Sequence, residues 1–450
     1  MRLLLLLPDG RIHCLRFARW AISFREAPLT HTLLAALVPE ELGFEVEVAD
    51  ESIGPIPLNR PFDLVGISVI TGASERAYEL ADHYRSRGAT VVLGGVHVTL
   101  RPDEAAAHAD AIVLGFAERT WPALLRDFAT GRMAPRYQDD QPLPAKLPKP
   151  RRELQRRLGY MAPTVFFATR GCRSRCDFCS VPAAGQTWQT RPVGEVIDEI
   201  RASGARRIVF NDVHLNEDPE YAKELLEALV PLRITWGGLA STRVVRDEEL
   251  LALLGRSGCN YLLLGFESLS QGSLQAIQKG ANKVEEYREV VRLLHQQGII
   301  LQGCFIFGID EDEPEVFERT VAFVDEVRID IPRYAIYTPY PGTEAFHRLL
   351  TEGRLLHQRW RYYDTQHVVF RPARMTPEQL DQGFLWAYRT TFTLRSILRR
   401  TLGSGGRFPI TFMGNLAYRL YVGRLEREAE RIPSELGLVP VPEDNVGLSA

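Results

Sequence analysis

"TVFFATRGCRSRCDFCSVP" (residues 164–182) decides how the rest of the chain is read. Its first half is apolar, β-branched and aromatic, the composition of a buried strand. Its second half sets Cys172, Cys176 and Cys179 within eight positions, although the whole 450-residue chain holds six cysteines. That usage is no disulfide scaffold, and in a reducing compartment crowded thiols point to metal ligation. A closed structural zinc site needs four ligands, yet no second Cys pair or Cys-x-x-His follows, the next cysteine being Cys259. Three thiolates can instead hold a 4Fe–4S cubane and leave one iron open to a small molecule. Cys14, Cys259 and Cys304 stand singly in strand-like or strand-flanking sequence and read as buried, inert thiols.

Outward from this loop the chain alternates between strand and helix patterns. Downstream, "RIVFND" (207–212), "ITWGGLAS" (234–241), "YLLLGFES" (261–268), "ILQGCFIFG" (300–308) and "RYAIYTPY" (333–340) are strands. Helical spacing fills the gaps, as in "VGEVIDEIRASG" (193–204), "DEELLALLGRSG" (247–258) and "KVEEYREVVRLLHQQG" (283–298). Six such units are too few for a closed eightfold barrel, so a partial (β/α)6 TIM-like barrel is expected over 164–345. Upstream, "RLLLLLP" (2–8), "FEVEVAD" (44–50), "DLVGISVI" (63–70), "ATVVLGGV" (89–96) and "DAIVLG" (110–115) are buried strands. Helical patterns at 29–43, 74–88 and 118–131 alternate with them, which makes 1–135 a doubly wound, Rossmann-like α/β unit. Its ligand crevice belongs at the carboxyl ends of the strands, in "SVITGAS" (68–74), "GGVHV" (94–98) and "GFAE" (115–118). A Pro-rich linker is expected over 136–163, and a helical extension over 346–450.

Composition narrows the function. A net charge of −3 gives no long-range attraction to nucleic acid or anionic lipid. The leading "MRLLLLL" stops at Pro8–Asp9–Gly10, too short for a signal peptide, and no stretch has the apolar length of a membrane span. A cytoplasmic protein is expected. Lysine is confined to Lys146, Lys149, Lys223, Lys279 and Lys283; arginine carries nearly all the basic charge, and no partner is read from that bias.

Cys-x3-Cys-x2-Cys with Phe178 before the last cysteine resembles the signature of the radical S-adenosylmethionine (SAM) superfamily. The resemblance implies a 4Fe–4S cluster on Cys172, Cys176 and Cys179, with SAM chelating the open iron and yielding a 5′-deoxyadenosyl radical. It also implies SAM contacts at Phe178, at Asn211 and Asp212 of "FNDVHLNED", and at Ser241 and Arg243 of "ASTRV". Gly265, Glu267 and Ser268 of "LLLGFES" complete the set, the glycine letting adenine approach the backbone. "FNDVHLNED" departs from the more usual Gly-Gly-Glu form. An electron donor such as flavodoxin or ferredoxin is implied as a partner.

The segment 77–118 resembles the cobalamin-binding domain that precedes many radical SAM enzymes. Cobalamin contacts are then expected at Ser68, Thr71, Gly72, Gly94, Gly95, His97, Gly115 and Glu118. The D-x-H-x-x-G motif that supplies a cobalt-ligating His elsewhere is absent: Asp9 and His13 have the wrong spacing, and "DVHLNE" (212–217) lies in the barrel. Together the two resemblances imply a cobalamin-dependent C-methyltransferase acting on a small-molecule or lipid substrate. Relatives use the same parts for rearrangement, cyclisation or carbon–carbon coupling, and a chain that had lost the chemistry would remain an iron–sulfur or cobalamin sensor. In the tail, 384–403 and 412–432 are amphipathic and Arg-rich. Two helices capping the barrel are expected there, with peripheral membrane contact as the sharper alternative.

Overall fold

The computed structural model describes residues 1–9, 14–17, 20–156, 158–402 and 408–435. Gly10, His13, Gly403 and residues 436–450, all included in the readings above, lie outside them.

The first sheet consists of β1 (Arg2–Leu7), β2 (Glu45–Asp50), β3 (Leu64–Ser68), β4 (Thr90–Gly94), β5 (Ala111–Leu114) and β6 (Arg136–Gln138). Its order is β2-β1-β3-β4-β5-β6, and every pairing is parallel. Alternate residues of β1 enter different cores. Leu4 and Leu6 pack with Tyr78, Leu80 and Ala81 of helix α2 (Ser74–Ser86). Leu3 and Leu5 pack with Ala35 of α1 (Leu29–Ala36) and with Trp121, Leu124 and Leu125 of α3 (Thr120–Ala129). Coverage of both faces is why the strand is leucine throughout rather than alternating. Two local expectations change. The helix read over 29–43 ends at Ala36, because Pro39 cannot continue it, and a 3-10 turn at Glu40–Leu42 follows. The sheet gains β6, three residues of mixed polarity within the stretch read as a linker.

That same stretch carries Tyr160–Ala162, which adds to a hairpin of Cys14–Phe17 and Trp20–Glu26. The second large sheet comprises β7 (Val165–Phe166), β8 (Arg207–Phe210), β9 (Thr235–Ala240), β10 (Cys259–Glu267), β11 (Ile300–Phe307) and β12 (Ile331–Ile336). The strands lie in chain order and are all parallel, with helices α4 (Val193–Ser203), α5 (Pro219–Leu229), α6 (Glu248–Arg256), α7 (Tyr287–Gln296) and α8 (Val316–Val327) in the connections between them. Among the described residues neither β7 nor β12 has an outer neighbour, so the barrel is open, as a six-unit array must be. Side chains alternate across it: Pro332, Tyr334 and Ile336 are buried outward, while Ile331, Arg333 and Ala335 face the lumen.

The tail closes the open side. The amphipathic run at 384–403 is two helices rather than one: α9 (Pro377–Thr391) ends before Thr393, whose side chain caps α10 (Leu394–Thr401). A third helix, α11 (Phe408–Glu435), crosses the lumen with Met413, Tyr418 and Tyr421 on the cavity side. Among the described residues no helix is long and apolar enough to cross a membrane.

Candidate functional site

The cysteine loop is tied down at both ends. Asp212, fully buried, accepts hydrogen bonds from the Ala168 amide at 3.0 and 3.2 Å and from the Thr169 amide. Burial pushes its carboxyl up to about 6, against those bonds and the nearby Arg191 guanidinium. Gly171 turns the chain with φ +73°, where a Cβ would collide with the Thr187 carbonyl. Thr169–Arg170 then pairs antiparallel with Gln189–Thr190, which closes the base of the loop. Within the loop, the Cys179 amide donates to the Cys176 carbonyl at 3.1 Å. Asp177 accepts from the Tyr337 hydroxyl at 2.6 Å, and the Phe178 ring stands edge-on to Tyr337.

Cys172, Cys176 and Cys179 are free and half-buried on this one loop. Burial pushes the Cys176 thiol up to about 12 and the Cys179 thiol upward as well, with the Lys279 ammonium opposing the rise in both. Two of the three thiols on this loop, Cys176 and Cys179, thus resist ionising unaided, which suits a bound cation centre, since coordination deprotonates a thiol outright. The donor set fits an iron–sulfur cluster. His214 and Glu217 lie against the first thiol: Sγ of Cys172 is 3.9 Å from His214 Nδ1 and 3.9 Å from Glu217 Oε2, and the imidazole and carboxylate also touch each other. Burial, then Arg243 and Lys279, lower His214 to about 4.

Three barrel tips lie near the thiols. After β8, Asn211 is exposed at the crevice between the two sheets, whereas Asp212 points the opposite way, into the loop base. Asn211 and Asp212 thus face different partners. Asp212, read as a SAM contact, holds backbone instead, and the side chains of that segment facing the thiols are His214 and Glu217. At the end of β9, Ser241 exchanges hydrogen bonds with Asn216 at 2.9 and 3.0 Å, and Arg243 stands 4.0 Å from Glu217. On β10, a Cβ at Gly265 would collide with the Glu267 carboxylate and come within 2.7 Å of Lys279 Nζ. Glu267 holds a left-handed φ of 64° and pairs with Lys279. Burial works against the Lys279 charge, but Glu267 and the Cys176 thiol outweigh it and raise its pKa. The place over Gly265 is therefore filled by the Glu267–Lys279 ion pair, both of whose members are the movable ends of long side chains.

The carboxyl edges of the two sheets face each other across a crevice of about 360 Å³. Ser68, Gly94, Gly95, Gly115 and Glu118 form one wall; Thr169, Arg170, Gly171, Asn211 and Val213 form the other. Gly95 (φ +103°) is required by packing, because a Cβ would stand 2.8 Å from the Val69 nitrogen. Gly115 (φ +68°) has nothing within 4 Å of where a Cβ would be, so a side chain there would fill the crevice. The apolar floor, Leu33, Leu34, Leu37 and Trp121, suits a large organic ligand, and Glu118 pairs with Arg170 across the domains at 2.5 Å. Thr71 and Gly72 line a second, larger cavity of about 1340 Å³ that runs down the barrel lumen. His97 lines neither. It is fully buried, with Nδ1 3.3 Å from Thr71 Oγ1, Nε2 3.5 Å from Glu104 and its ring edge-on to Trp360.

Sequence reasoning missed His214, Glu217, Asn216 and Lys279. The first three sit inside "FNDVHLNED", and Lys279 is one of five lysines in a chain with 54 basic residues. Its rarity was the available signal.

A Radical SAM superfamily profile matches residues 166–324, and a B12 binding domain profile matches residues 22–125. The chain is 32% identical over 392 residues to the bacteriochlorophyllide d C-12(1)-methyltransferase of Chlorobaculum tepidum, covering 84% of this chain and 85% of that one. It is 30% identical over 430 residues to the bacteriochlorophyllide d C-8(2)-methyltransferase of the same organism, covering 90% and 95%. Among solved structures it is similar to the radical SAM methyltransferase TsrM of Kitasatospora setae with tryptophan substrate and a SAM analogue bound. That likeness has a TM-score of 0.67 at 18% identity and spans 95% of this chain and 99% of that one. OxsB, a cobalamin-dependent SAM radical enzyme, gives a TM-score of 0.65 at 14% identity over 95% of this chain and 75% of that one. At such identities the structural likeness speaks for the fold alone.

Proposed function

The chain belongs to the B12-binding radical SAM methyltransferase family, and from that premise we propose that it methylates an unactivated carbon of a large, mainly apolar substrate of chlorin size. The observation that carries the reading is the opposition of two parallel-sheet edges across one crevice, with three free thiols at the head of the barrel behind it. When bound, a 4Fe–4S cluster and SAM supply the radical that removes hydrogen from carbon, and cobalamin supplies the methyl carrier.

The chain's own residues bind and orient. Cys172, Cys176 and Cys179 would hold the cluster. Gly265 would let adenine approach the backbone once the Glu267 and Lys279 side chains move aside, and those two with Arg243 would meet the charged ends of the methionine moiety. Ser68, Gly94, Gly95, Gly115 and Glu118 would receive cobalamin along the first sheet. Helix α11 contributes Met413, Tyr418 and Tyr421 to the wall of the lumen. The two bacteriochlorophyllide methyltransferases, similar over nearly the whole chain, support a chlorin-sized substrate, and the lumen cavity of about 1340 Å³ is large enough for one.

The test is incubation of anaerobically reconstituted protein with methyl-labelled SAM, a reductant and chlorin acids. Transfer of the label to a carbon of the chlorin is expected. Formation of 5′-deoxyadenosine without label in any product would replace methylation with rearrangement or coupling.

A further inference from the structure

The lumen cavity is apolar over much of its wall, with Ile70, Val96, Ile208, Leu263, Ile300 and Met413 among its lining. One charged group on it stands out. Arg333 projects inward from β12, half-buried on the cavity wall. Among the described residues its guanidinium makes no hydrogen bond, and no carboxylate oxygen lies within 4.0 Å of it. The other groups nearby are already answered. Tyr261 donates to Gln302, and the Gln302 amide donates to the Tyr418 hydroxyl at 2.9 Å. The Tyr388 hydroxyl donates to the Tyr334 carbonyl at 2.9 Å. Of the two acids on the wall, Asp364 is paired with His367 at 2.9 Å, and Glu26 stands beyond 4.0 Å. Of the other two arginines on the wall, Arg361 is paired with Glu75 at 3.5 Å and Arg207 is exposed. A guanidinium inside an apolar cavity is costly without a counter-charge, and its planar fork matches a carboxylate.

We infer that Arg333 is the anchor for a carboxylate on the substrate, and so a specificity determinant of the methyl transfer proposed above, on which this assignment rests. Placement supports it. Arg333 shares a register row with Cys304 and Gly265, two strand spacings or about 10 Å from β10, whose tip carries Glu267 and its partner Lys279. A molecule held there can extend toward the strand tips, where Thr71 and Gly72 of the first domain border the same cavity. The aromatic enclosure of Arg333 comes from the tail, through Tyr388, Tyr418 and Tyr421. Arg243 and Lys279 already supply positive charge beside the thiols, so the SAM carboxylate does not need Arg333.

Binding by calorimetry tests this without turnover, using pheophorbide a against its methyl ester and palmitate against methyl palmitate. Full-length wild-type protein should bind the acid of at least one pair about tenfold or more tightly than its ester. Arg333→Met should erase that preference, leave ester and SAM affinities unchanged, and keep the melting temperature; should it not fold, Arg333→Gln carries the same comparison. A preference that survives the substitution, no preference in either wild-type pair, or a selective loss of SAM affinity would overturn the assignment. Acid preference for palmitate alone would keep Arg333 as the anchor and remove the chlorin-sized substrate proposed above.

Discussion

Asp212 and Gly115 show two different demands on single residues. Asp212 answers two buried amides at the root of the cysteine loop. Asp212→Ala should lower unfolding free energy by about 2–4 kcal/mol in urea titrations, because both donors are left unpaired. Gly115 instead keeps space empty. Gly115→Val should cost about 1–2 kcal/mol for its left-handed backbone, retain the fold, and weaken cobalamin binding at least tenfold by absorbance titration. Retained affinity would mean that the ligand does not enter the crevice. At this scale the thiols were legible, because their function depends on spacing along the chain. The partners of the barrel tips were not: whether Asp212 or Glu217 faces the thiols depends on how the chain leaves β8, which no periodicity encodes. His97 misled for a related reason. It follows the glycines at the strand end, but a short helix at Val96–Leu100 carries it away from the crevice and beneath Trp360.

Strands and helices were easier to read than the segments that join them. Buried runs such as "RLLLLL" and "YLLLGFE" have no competing helical reading, since both faces are apolar and glycine or proline bounds them. The helical tail was legible as amphipathic and Arg-rich. Arg400 is fully buried. Its guanidinium donates to the carbonyls of Ile329 at 3.1 Å and Thr391 at 2.9 Å and to the Asn415 side chain at 3.0 Å. One side chain thus joins α9, α10 and α11 to the end of α8, and helical spacing alone cannot distinguish a buried Arg from an exposed one. Arg400→Leu should lower stability by about 3 kcal/mol or more, since several carbonyls lose their donor together. Chemical denaturation would check it, and a change under 1 kcal/mol would mean that water replaces the guanidinium.

At the scale of the molecule, function depends on two sheets meeting edge to edge. The Glu118–Arg170 pair bridges them at the crevice. On the far side the segment after the barrel reaches back to the first domain: Trp360 is buried and donates to Glu104 at 2.9 Å, and Arg359 and Arg361 approach Glu75 at 3.4 and 3.5 Å. Nothing in the sequence marks this return, because long-range docking leaves no local pattern. Trp360→Ala should remove about 3–5 kcal/mol of packing and loosen the domains. Limited proteolysis within the Pro-rich stretch 139–150 should then be several-fold faster than in wild type.

The central claim is that Cys172, Cys176 and Cys179 hold a cluster whose remaining iron is open to SAM. Electron paramagnetic resonance of the reduced, anaerobically reconstituted protein tests it most directly. The expected result is a 4Fe–4S signal that changes on adding SAM and disappears when any of the three cysteines becomes alanine. A signal indifferent to SAM, or one that persists without those thiols, would contradict it.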